Sequence, residues 1–133
     1  MFDTRKQIIE GGFHIISKRS QQVPFIQNYV QNKLDETRER LKREGKPLWI
    51  LILKARQEGC SAKVEADWLA DCISTDNLNA VVISHEKEST KRLLRRVHYY
   101  IETAKHPITT KVQSEYEISF PKTNSWFYIG TAG

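Results

Sequence analysis

The chain has 133 residues, of which 39% are hydrophobic and 28% charged, proportions that fit one globular domain and exclude a long disordered or fibrous chain. It contains no run of eighteen apolar residues, which excludes a membrane-spanning helix, and the opening Met1-Phe2-Asp3-Thr4-Arg5-Lys6 lacks the apolar core of a signal peptide. The net charge of +5 is compatible with contact to nucleic acid, and the two cysteines, Cys60 and Cys72, lack the C-x-x-C spacing of a zinc or dithiol site.

Residues 1–22 are polar and mixed, with Gly11-Gly12 ahead of a short apolar patch at 13–16, and read as a leader arm or a short helix. Val23-Pro24-Phe25-Ile26 is extended, because the proline disfavours helix in the residue before it. Asn28 is a candidate helix cap. Val30, Leu34, Thr37 and Leu41 follow at helical spacing, with a sign-alternating charged face around them that reads as solvated. Gly45-Lys46-Pro47 ends that helix.

Residues 48–53, Leu-Trp-Ile-Leu-Ile-Leu, have the length and uniform apolarity of a strand buried on both faces. The stretch Lys54-Ala55-Arg56-Gln57-Glu58-Gly59-Cys60-Ser61 follows, and then a helical pattern opens, marked by Val64, Trp68, Leu69 and Cys72. Strand, glycine turn, hydroxyl and helix is the layout of a phosphate-binding loop, in which unpaired backbone N–H groups hold an anion. Against G-x-x-x-x-G-K-[ST], the second glycine and the hydroxyl are present, while Lys54 stands at the first glycine and Cys60 at the lysine. Lys63 falls in the first turn of the helix, where the dipole disfavours a cation; a bound anion would relieve that.

Asn79–Ser84 reads as a second buried strand, with Ser84 or His85 at its ligand-binding carboxyl end. A helix follows from about Glu86 to Thr103, with Leu93, Leu94, Val97, Tyr100 and Ile101 on one face and Lys91, Arg92, Arg95 and Arg96 crowding another. Residues 112–120 and 126–129 are strand-like around a turn-rich Pro121–Ser125, which predicts a hairpin or two strands on the flank of the sheet.

The Arg56-Gln57-x-Gly59-x-Ser61 core, with Lys54 at the front of the loop, resembles the nucleotide-binding loop of the large terminase subunit of tailed phages. The upstream Phe25-x-x-Asn28-x-x-Gln31 is similar to that family's adenine-reading element. The resemblance covers roughly residues 23–133. It implies an α/β P-loop NTPase of the ASCE/RecA-like kind: a three-layer core with a parallel sheet, here incomplete, plus a flanking hairpin. Residues 23–133 would be the amino-terminal portion of the ATPase domain, and the acidic strand end that should hold magnesium and the nuclease domain are absent from this sequence. The function it implies is ATP-driven packaging of double-stranded DNA. The partners would be the portal protein and the small terminase subunit, the assembly a homo-oligomeric ring, and the setting the host cytoplasm. On this likeness Lys54, Ala55, Arg56, Gln57, Glu58, Gly59, Cys60 and Ser61 bind ATP phosphates, Gln31 reads adenine, and Ser61 ligates Mg²⁺. Lys54 and Arg56 carry the catalytic charge, although this stretch of chain alone is expected to turn over little ATP. Two other readings stay open: a small basic α/β adaptor for DNA or a partner that binds no nucleotide, and the amino-terminal part of a helicase-like ATPase.

Overall fold

The computed structural model describes residues 4–17, 19–46, 60–84, 86–111 and 116–131. Among these the chain is mixed α/β. The elements are α1 (Thr4–Gly12), β1 (His14–Ile16), β2 (Gln22–Pro24), α2 (Tyr29–Arg43), α3 (Cys60–Ser74), β3 (Asn79–Ser84), α4 (Lys87–Thr103), β4 (Glu117–Phe120) and β5 (Ser125–Thr131).

The main sheet has the order β3-β5-β4. β3 runs parallel to β5, from Asn79↔Trp126 to Ser84↔Thr131, and a parallel pair requires a long crossover, which here contains α4. β4 and β5 are the expected hairpin, paired antiparallel from Phe120↔Ser125 to Glu117↔Tyr128. The turn between them, residues 121–124, ends on Asn124 at φ 52°, a left-handed conformation that asparagine tolerates. The hairpin is part of the sheet, since β5 lies between β3 and β4, so the sheet is mixed and not wholly parallel.

Alternation along the strands gives the sheet two unlike faces. Ala80, Ile118, Phe120, Phe127 and Ile129 point to one side and are buried with Ala66, Leu69, Ala70 and Cys72 of α3 and Val97 and Tyr100 of α4. The other side carries Val81, Ile83 and Tyr128, which are 55%, 65% and 39% exposed. A three-layer arrangement would cover both sides; among the described residues helices cover one.

The described residues of 4–24 belong to the packed body. The short-helix reading holds for 4–12, and this helix lies on α3: Ile9 is fully buried, and Arg5 Nε is 2.7 Å from Asp71 Oδ1. Phe13 stacks on Tyr100 with ring centroids 5.5 Å apart, and Phe25 meets the same ring at 6.0 Å. A small sheet pairs β1 with β2 antiparallel, and the Phe25 N–H donates to Phe13 O at 2.9 Å. Phe13 and Phe25, from either side of the small sheet, thus pack on Tyr100 of α4 within the core.

Helix α2 starts where its cap predicts. Asn28 accepts from the Gln31 N–H at 2.9 Å, and the Gln31 side chain accepts from the Asn28 N–H at 2.9 Å, a reciprocal capping box. Its buried stripe differs from the expected apolar one. Gln31 and Asp35 are the buried residues of α2, while Val30, Leu34, Thr37 and Leu41 are half-buried. The reason lies on α3, where the residue facing this stripe is a lysine.

Candidate functional site

The candidate site is the amino-terminal end of α3 and the corner that holds it. Helix α3 begins at Cys60. Lys54, Ala55, Arg56, Gln57, Glu58 and Gly59, and the strand expected over 48–53, lie outside the described residues. Cys60 and Ser61 are helical.

The next residues of α3 are tied down on two sides. Lys63 is fully buried. Its ammonium donates to Gln27 Oε1 at 2.7 Å and Asp67 Oδ1 at 2.6 Å, and forms an ion pair with Asp35, whose Oδ1 lies 2.9 Å away. Gln27 Nε2 donates to Asp35 Oδ2 at 2.8 Å and to Asn32 Oδ1 at 2.9 Å. The Gln27 N–H donates to Glu10 Oε2 at 2.8 Å, which brings α1 into the same cluster. Arg38 closes it, with Nη2 3.2 Å from Asp35 Oδ1 and Nη1 3.4 Å from Asp67 Oδ2. Two cations therefore face two carboxylates in a nearly dry corner.

Burial alone would raise the Asp35 carboxyl, but the hydrogen bond from Gln27, with Lys63 and Arg38, outweighs it and holds the pKa below the ordinary value. At Asp67 burial wins and the pKa is raised, with Lys63 and Arg38 opposing. Of the two carboxylates Asp35 is the more firmly ionised, because it receives the amide hydrogen bond as well as both cations.

On the opposite flank α4 holds the same end of α3. The Tyr100 hydroxyl donates to Ala62 O at 3.1 Å, and Arg96 Nη1 donates to Glu65 Oε1 at 2.8 Å. Glu65 is 1% exposed, and its second oxygen, Oε2, is buried and has no hydrogen-bond partner among the described residues. Burial pushes its pKa up to about 8, against the lowering effect of Arg96.

Four sequence-based expectations change here. Lys63 already has Asp35 and Asp67 as counter-charges, so no bound anion is needed to offset the helix dipole. Arg96 is ion-paired with the buried Glu65 while 39% of its side chain stays exposed, so it is only partly available to the outward basic surface of α4. Gln31, the candidate adenine reader, is 4% exposed and its amide oxygen is engaged in the helix cap. Asp35 and Arg38, expected on a solvated face, belong to the buried cluster. Gln27, Lys63, Asp67 and Glu65 do not stand out as a set in the sequence. Only the Lys63/Asp67 pair, four apart on one helix, leaves a trace there.

Among the described residues no group of three or more His, Cys, Asp or Glu side chains is arranged to hold a metal ion. No helix there is long and apolar enough to cross a membrane. No protein-family model matches the chain, and no curated protein matches it significantly.

Proposed function

We propose that this chain is the amino-terminal part of the ATPase domain of a phage-type large terminase, a motor that drives double-stranded DNA, with residues 54–61 as its ATP phosphate loop. One observation supports this beyond the motif itself. Among the described residues helix α3 is already formed at Cys60, within the loop motif, and residues 62–65 near that end are held by Gln27, Asp35, Arg96 and Tyr100. A phosphate loop works by presenting backbone N–H groups in a preset geometry, and a helix start gripped from both flanks supplies that rigidity.

In this reading the backbone N–H groups of Glu58–Ser61 surround the phosphates, Lys54 offsets the β/γ charge, Arg56 senses the γ-phosphate, and the Ser61 hydroxyl ligates Mg²⁺. The reaction is in-line attack of water on the γ-phosphate. The carboxylate that would orient that water is not assigned to any residue of this sequence, so the chain binds ATP and turns it over far below 1 per second, the low end of ordinary enzymes. In the complete motor the portal protein, the small terminase subunit and a ring of identical subunits are its partners.

The test is a thermal shift with Mg-ATP, since a ligand that binds only the folded state raises the melting temperature. Wild type gains several degrees and Lys54→Ala loses most of that gain. No shift for wild type at millimolar Mg-ATP overturns the reading and leaves the nucleotide-free adaptor.

A further inference from the structure

A second feature lies at the carboxyl ends of the parallel strands. The last register pair of β3 and β5, Ser84↔Thr131, ends beside the start of α4. An open cleft of about 310 Å³ lies there, lined among the described residues by Lys87, Thr90, Lys91, Leu94, Tyr116 and Thr131. The carboxyl end of parallel strands is where open α/β sheets take their ligands.

The lining defines the ligand's chemistry. Among the described lining residues there are two ammonium groups and no carboxylate. The Thr90 and Thr131 hydroxyls are 2.6 Å apart, and Thr90 is anchored from below by Glu86 O at 3.2 Å. Tyr116, half exposed, and Leu94 supply an aromatic and an apolar wall. Lysine, threonine and tyrosine side chains are the ordinary partners of phosphate and sugar oxygens in nucleic acids.

The charge continues outside the cleft. Lys87, Lys91 and Arg95 are four residues apart on α4 and all exposed, so they form one stripe about 12 Å long at 1.5 Å per residue. Arg92 stands beside it, 67% exposed. Among the described residues these cations pair with Glu88, 3.7 Å from Lys91 and 75% exposed, and Glu86, 3.9 Å from Arg92 and 54% exposed. Pairs this long and wet hold their cations weakly and yield to a polyanion. A single phosphate would use only the cleft; a stripe of this length fits several phosphates in a row.

We propose that the Lys87–Lys91–Arg95 stripe and the cleft at its head grip a nucleic-acid strand by its phosphodiester backbone. This surface is separate from residues 54–61, and its test needs no ATP. Binding of a fluorescent single-stranded oligonucleotide is measured by anisotropy as a function of salt, for wild type, Lys87→Ala/Lys91→Ala and the control Lys42→Ala/Arg43→Ala. Both double variants remove two positive charges, and the control pair sits exposed at the far end of α2. The stripe variant loses tenfold or more in affinity, and its log–log salt slope falls by about 1.4, roughly 0.7 for each phosphate of a single strand no longer neutralised. The control stays near wild type. Equal losses in the two variants would mean that net charge alone drives binding. That result, or a stripe variant that binds like wild type, or no binding by wild type at low salt, overturns the proposal. A Thr131→Val variant, which keeps every charge, adds a smaller loss with an unchanged slope, and undiminished binding there removes the cleft from the interface.

Discussion

Lys63 Nζ lies 2.7 Å from Gln27 Oε1, with both side chains buried and the two residues 36 positions apart in the chain. The contact joins the corner ahead of α2 to the beginning of α3. It exists because Asp35 and Asp67 neutralise the lysine in place. Stripping water from a charge costs several kcal/mol, so an unneutralised lysine would not remain there.

Lys63→Met should therefore destabilise the fold by about 3–5 kcal/mol, because it leaves two buried carboxylates with only Arg38 between them. Adding Asp35→Leu and Asp67→Leu to it should recover most of that stability. Urea unfolding of the single and triple variants measures both. A triple variant no more stable than the single one would show that the cluster is not an electrostatic unit.

Glu65 should make stability depend on pH between about 5 and 8. Its pKa is 4.5 as an ordinary side chain and about 8 in the fold. Across that window the native state holds a proton that the unfolded chain has released, so stability falls as pH rises, by up to about 1.4 kcal/mol per pH unit. Glu65→Gln removes this slope and should gain on wild type toward pH 8. The difference between the two proteins isolates the group, since all others titrate in both. Parallel stability curves would place the Glu65 carboxyl near its ordinary value.

The capping box at the start of α2 gives a smaller effect. Asn28→Ala removes the acceptor for the Gln31 N–H and should cost about 1 kcal/mol, whereas Asn28→Asp should cost little. Thermal unfolding of the two variants separates them. If both fall equally, the cap does not set the start of the helix.

Much of the architecture is legible in local patterns. The Asn28 cap, the helices at 60–74 and 87–103, the strand at 79–84 and the hairpin follow from spacing, capping and turn residues, each acting within a few positions. The small β1–β2 sheet is not legible, because strands of three residues carry too little pattern. The helical period of α2 shows in its sequence but its inward face does not. A hydropathy pattern assigns Gln31 and Asp35 to water, and only their neighbours across the corner make burial tolerable.

The sequence by itself determined where the longer described helices and strands lie, and it marked Lys54–Ser61 as a phosphate-loop candidate through residue order alone. Only the tertiary structure decided which charges face inward: Lys63 toward Asp35 and Asp67, Arg96 toward Glu65, and Lys87, Lys91 and Arg95 toward solvent. Helix and strand preferences come from backbone geometry and near neighbours, so a short window carries them. Whether a charged side chain is tolerated in the interior depends on an opposite charge or hydrogen bond within about 3 Å, and the chain brings such partners together from dozens of residues away only when it folds.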